Sequence, residues 1–110
     1  MYAFAVPIPS GKTEAIRRLT ATCLGARKAE YDDMQRRSGV IEESYWLQPD
    51  PSGDVMIVVS NSDQRDFAAI MANPQTEFDR WYRGQITEIF GADPGEPWGP
   101  RNELMGSWPG

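Results

Sequence analysis

Histidine is absent from the 110 residues, and Cys23 is the single cysteine. The first absence removes the commonest general base near pH 7 and the commonest metal ligand. It excludes Ser-His-Asp and Cys-His arrangements, within one chain or across identical copies. One thiol without an imidazole leaves a zinc site no ligand set, and no intramolecular disulfide can form. Long apolar runs are also missing. The N-terminal apolar stretch has no basic segment before it and is broken by Pro7 and Pro9. It reads as neither a secretion signal nor a membrane span, and the expected compartment is the cytoplasm. Positive charge is scarce: 11 basic against 16 acidic residues give a formal charge of −5. Such a surface repels phosphate backbones and anionic lipid, so neither nucleic acid nor a membrane is an expected partner. Arg36-Arg37 is too short for a basic tract and has Asp32, Asp33, Glu42 and Glu43 close by.

What remains is globular in character, with 40% hydrophobic and 25% charged residues, and the length suits one domain. Residues 2–8 alternate, with Tyr2, Phe4, Val6 and Ile8 on one face of a strand. Pro7 suits an edge. Ser10 is the expected N-cap of one long helix, about 12–38, with Glu14 in its first turn. Ile16, Leu19, Cys23, Ala26, Glu30 and Met34 step along its inward face, Gly25 weakens its middle, and Gly39 ends it. Residues 40–48 and 54–60 read as a hairpin across the turn 49–53, the latter strand central because both its faces are apolar. A short helix over 63–72 precedes an Asn73-Pro74 cap and a helix reaching Gly91. Its stripe is Phe78, Trp81, Tyr82, Gln85, Ile86 and Ile89.

The fold class is therefore α+β, a ferredoxin-like β-α-β-β-α-β domain over residues 1–91 with an antiparallel sheet. Residues 92–110 form a Pro/Trp-rich tail in which 103–108 is the expected short last strand, and Trp98 is expected to dock. Helices on one side leave the other sheet face bare, and a second copy of the chain is its simplest cover.

Ser10-Gly11-Lys12-Thr13 carries the ending of a phosphate-binding loop, but Val6 stands where that loop needs its first glycine. A plain helix start is the better reading. Glu42 and Glu43 point to opposite faces of their strand, so only one can enter a pocket. Glu43, on the face of Ile41, Tyr45 and Leu47, is the acid/base candidate. A salt bridge to Arg27 or Arg80 is the structural alternative. Arg27 and Glu30, three apart on the helix, either bind a substrate's polar group or form a surface pair. Twelve aromatic residues are generous for this length. Tyr45, Trp46, Phe78, Trp81 and Tyr82 suit a flat conjugated ligand, or simply the core. Cys23 reads as a buried small hydrophobe.

Several short stretches together resemble the dimeric α+β barrel superfamily, which includes antibiotic-biosynthesis monooxygenases and stress-responsive barrel proteins. They are Gly11-Lys12, Ala26-Arg27 with Glu30-Tyr31, Arg36-Arg37 with Gly39-Val40, Trp46-Leu47-Gln48, Gly53-Asp54 and Phe78-Asp79-Arg80-Trp81. The likeness is nearest to an uncharacterised actinobacterial branch and runs to about Gly91. It implies a homodimer with a pocket between sheet and helices, acting on aromatic or polyketide-like compounds without metal or cofactor. The histidines that some members use are missing here, which speaks against haem degradation. Within that frame Glu43 is the catalytic candidate, and Arg27, Glu30, Tyr45, Trp46 and Trp81 line the ligand. Cyclisation, isomerisation and oxygenation all stay open. The competing reading is a non-catalytic homodimer that binds a ligand or a protein.

Overall fold

A computed structural model describes residues 1–95 and 102–109. In chain order the elements are β1 (Tyr2–Pro7), α1 (Thr13–Cys23), α2 (Lys28–Arg37), β2 (Glu43–Gln48), β3 (Val55–Ser60), α3 (Arg65–Ala72) and α4 (Glu77–Phe90). The strands form an antiparallel sheet in the order β1-β3-β2, with β3 central as its two-sided apolar sequence requires. Register rows run Phe4–Val58–Tyr45 and Tyr2–Ser60–Glu43.

Side-chain alternation sorts the two faces. Val6, Val58 and Ser60 are buried on the face that meets the helices. Ala3, Ala5, Ser44 and Trp46 are exposed on the other, where Trp46 keeps 63% of its surface open. Helix residues Leu19, Cys23, Tyr31, Met34, Ile70, Met71, Phe78, Ile86 and Ile89 make one core between helices and sheet. Burying each large apolar side chain of this kind stabilises by roughly 1.5–3 kcal/mol.

The expected single long helix is two. After Cys23 the chain leaves the helical ladder. The Leu24 amide still reaches the Thr20 carbonyl at 2.9 Å, but the Arg27 amide turns back to Thr22. Gly25 permits this, since a Cβ there would lie 2.8 Å from the Ala21 carbonyl oxygen. The link resets the helical phase. Tyr31 takes the inward face, while Ala26 and Glu30 become exposed.

Two cap assignments also change. Lys12, not Ser10, is the N-cap of α1, without a side-chain bond. Thr76 caps α4 in place of Asn73-Pro74, through a reciprocal box with Asp79. Helix α3 starts from Gln64, which has a left-handed backbone (φ 72°). The stop at Gly91 is as expected.

Residues 102–109 form neither helix nor strand, so the expected last strand is not present among the described residues. The position of Trp98 lies outside them. The Ile8 amide bonds the Asp54 carbonyl, which fixes the parity of β1. Its even residues bond β3, and Ala3, Ala5 and Pro7 present their backbone to an open edge. Among the described residues the tail touches that edge where the Asn102 amide donates to the Ala3 carbonyl.

Candidate functional site

The sheet face under the helices carries one carboxylate at its β2 side. Glu43 lies in the inward row with Tyr45, and Glu42 is exposed outside the strand, which settles which of the pair faces inward. Ile41 does not share that surface. It precedes the strand and is 90% exposed.

Around Glu43 the chain assembles a hydrogen-bonded cluster from α2, β2 and the residue that caps α3. The Tyr45 hydroxyl donates to Glu43 Oε1 at 2.5 Å. Gln35 Nε2, from α2, donates to the same oxygen at 3.1 Å, and Gln64 Nε2, ahead of α3, to Oε2 at 3.2 Å. The Tyr31 and Tyr45 hydroxyls are bonded to each other, and Gln35 also reaches the Tyr31 oxygen at 3.1 Å. Tyr82 of α4 packs its ring against that of Tyr31, the centres 5.9 Å apart.

Donor counting orients the chain of phenols. A carboxylate only accepts, and a phenol has one proton to give. Tyr45 gives its proton to Glu43, so Tyr31 must donate to Tyr45. The Gln35 amide supplies Tyr31. The result is a directed relay, Gln35 to Tyr31 to Tyr45 to Glu43. Burial, first among the causes, pushes all three phenols well above their ordinary range. They therefore act as neutral donors, and Glu43 is the group of the cluster suited to take or give a proton.

Beside the phenols lies a cavity of about 50 Å³ between sheet and helices. Leu19, Cys23, Met56, Ile86 and Phe90 make its walls apolar, and Tyr31, Tyr45 and Tyr82 form its polar end. It is smaller than the roughly 300 Å³ from which ligand pockets usually begin. Cys23 is 2% exposed, and burial raises its thiol to about 11, so it is wall rather than nucleophile.

The structure brings two of the six sequence-derived residues together, Glu43 and Tyr45. No ion pair reaches Glu43 among the described residues, so neither Arg27 nor Arg80 neutralises it. Arg27 is committed elsewhere. Its guanidinium pairs with Glu30 at 2.7 Å and Glu77 at 2.6 Å. It also lies 4.9 Å from the Phe78 ring centre and 4.6 Å from that of Trp81. Arg27, Glu30 and Trp81 are thus a surface group at the α2–α4 junction, outside the cavity. Trp46 is on the opposite, open sheet face.

Tyr31, Gln35 and Gln64 are members that the sequence reading did not assign to a site. The available signal was chemical: a phenol on a core-facing stripe needs a partner for its hydroxyl, and Gln35 follows Tyr31 by one helical turn. Two other polar residues prove structural. Asn61 clamps the chain entering β2, accepting from the Ile41 and Glu42 amides and donating to the Gly39 carbonyl. Thr13 of the phosphate-loop-like stretch donates to Asp54 at 2.7 Å, tying a plain helix start to the hairpin.

Compared with protein-family models, curated proteins and solved structures, the chain matches none. Among the described residues no group of metal-ligating side chains converges, and no helix is long and apolar enough to cross a membrane.

Proposed function

We propose that this chain is a homodimeric α+β barrel protein. In this reading it binds a small aromatic or polyketide-like molecule between sheet and helices and transfers a proton through Glu43. The observation that carries the proposal is the apolar cavity ending on a phenol relay that terminates in a carboxylate with no ion-pair partner among the described residues. A ligand hydroxyl or carbonyl replacing one phenol contact would join the relay directly. Glu43 would exchange the proton, and Tyr45 would hold the donor in line. Met56, unbranched and flexible, is the wall residue most easily displaced to enlarge the space.

The dimer and the ferredoxin-like order belong to the same proposal. The exposed apolar side of the sheet, with Trp46 on its β2 edge beside Ile57, supports pairing with a second copy. The open edge of β1 is where a fourth strand would complete the β-α-β-β-α-β order.

The non-catalytic reading draws on one specific observation. The Tyr31 and Tyr45 hydroxyls of the relay are both already engaged within the protein, in a cavity of only about 50 Å³. One experiment separates the two. A panel of hydroxylated aromatic compounds is screened for binding and for conversion with the wild type and with Glu43→Gln. Conversion that Glu43→Gln abolishes, with binding retained, supports the catalytic reading. Binding without conversion by either protein favours the non-catalytic one. Failure of every aromatic to bind removes both.

A further inference from the structure

A second cavity, of about 220 Å³, lies between α1 and α4 on the side of Leu19 away from the relay. Leu19 lines both spaces and so separates them. Leu19 and Ile89 give the second one an apolar floor, and Trp81 lines it too. Lys12, the N-cap of α1, and Arg18, about 1.7 helical turns further along, bring two cations to it.

The charge pattern makes this groove unusual for the molecule. Arg17, Arg27, Lys28, Arg37, Arg65 and Arg83 are each held by a carboxylate. Among the described residues only Lys12, Arg18, Arg36 and Arg80 have no ion-pair partner, and two of these four line this one groove. Glu88 also lines it without pairing to either cation. In a chain of net charge −5, two uncommitted cations over an apolar floor beside an indole are a local positive site.

We infer that the α1–α4 groove binds a small carboxylate with a flat apolar body, the carboxylate meeting Arg18 and Lys12 and the body lying on Leu19 and Ile89 beside Trp81. Arg18 supplies the fork that matches a carboxylate in two-point fashion. The volume, below that of drug-sized sites, selects a single-ring ligand. Glu88 excludes a second negative charge on the same molecule and sets this site apart from one for polyanions.

The test uses the full chain, with benzoate as probe, and follows the Trp81 indole N–H resonance, assigned with Trp81→Phe. Benzoate is expected to shift it saturably. Benzyl alcohol, the same size without charge, should bind about tenfold or more weaker, and Lys12→Gln/Arg18→Gln should weaken benzoate by at least about as much. Both substituted side chains sit at the surface of α1, and an unchanged circular-dichroism spectrum of the double variant verifies its fold. Glu43→Gln should leave benzoate binding intact, so this site stands or falls separately from the relay. Three results would each overturn the assignment: no saturable shift, a shift undiminished in the double variant, or inorganic phosphate displacing benzoate at equal concentration.

Discussion

Asp79, with none of its surface open, receives both arms of the Arg37 guanidinium, at 2.8 and 2.9 Å, so that the last turn of α2 is fastened to the first turn of α4. The same carboxylate accepts the Gln75 and Thr76 amides at 3.1 and 3.2 Å. No polar side-chain atom buried among the described residues lacks a partner, and this junction is the most demanding case. Arg37→Ala would leave a buried charge with backbone partners alone and should cost about 3–5 kcal/mol. Asp33→Ala removes the other, half-exposed partner of Arg37 and should cost less than about 1 kcal/mol. Urea unfolding of the two variants checks the contrast.

The junction also sets the acid limit of the fold. Burial alone would raise the Asp79 carboxyl, but Arg37, the Gln75 amide and Thr76 outweigh it and hold the group at about 2, against 3.8 ordinarily. Its contribution is complete above the ordinary value and disappears as pH falls toward 2, amounting to about 2 kcal/mol. Unfolding free energy measured from pH 6 to pH 2 should show this loss. In Arg37→Ala burial faces less opposition, so the loss should begin at higher pH.

At the relay, Tyr45→Phe should leave the fold in place and lower stability by about 1–3 kcal/mol, because Tyr31 loses its acceptor and Glu43 a donor. Glu43→Gln retains an acceptor for Tyr45 and should cost about 1 kcal/mol. Thermal melts rank the two, and any aromatic-ligand turnover should disappear in Glu43→Gln.

On the open side of the sheet, Trp46→Glu should convert a dimer to a monomer with unchanged secondary structure. Light scattering after size exclusion reads the mass. A wild type that is monomeric at high micromolar concentration would remove the pairing proposal.

At the α1–α2 link, Gly25→Ala places a methyl against the Ala21 carbonyl and should destabilise by roughly 1–3 kcal/mol. If the link were an ordinary helix interior, alanine there would stabilise instead.

Period-two alternation made the three strands legible, and the two-sided apolar run of β3 placed it in the centre. The inward orientation of Glu43 followed from counting along β2. What escaped the reading was set by local geometry that periodicity does not carry. A glycine-permitted break between Cys23 and Lys28 moved Ala26 and Glu30 off the inward face, while Met34 stayed on it. The capping box of α4 was written as Thr76-x-x-Asp79, yet Asn73-Pro74 offered a competing start. The cluster partners come from separate elements, and only their packing reveals that Tyr31, Tyr45 and Glu43 share one corner with Gln35 and Gln64. Arg27 looked available because its partner Glu77 lies fifty residues away.

The open edge of β1 has a consequence for assembly. Pro7 has no N–H to offer, and Asn102 already occupies the Ala3 carbonyl. An incoming foreign strand therefore finds two backbone donors, at Ala3 and Ala5, before the template ends. So short a template gives little purchase to edge-to-edge fibre growth.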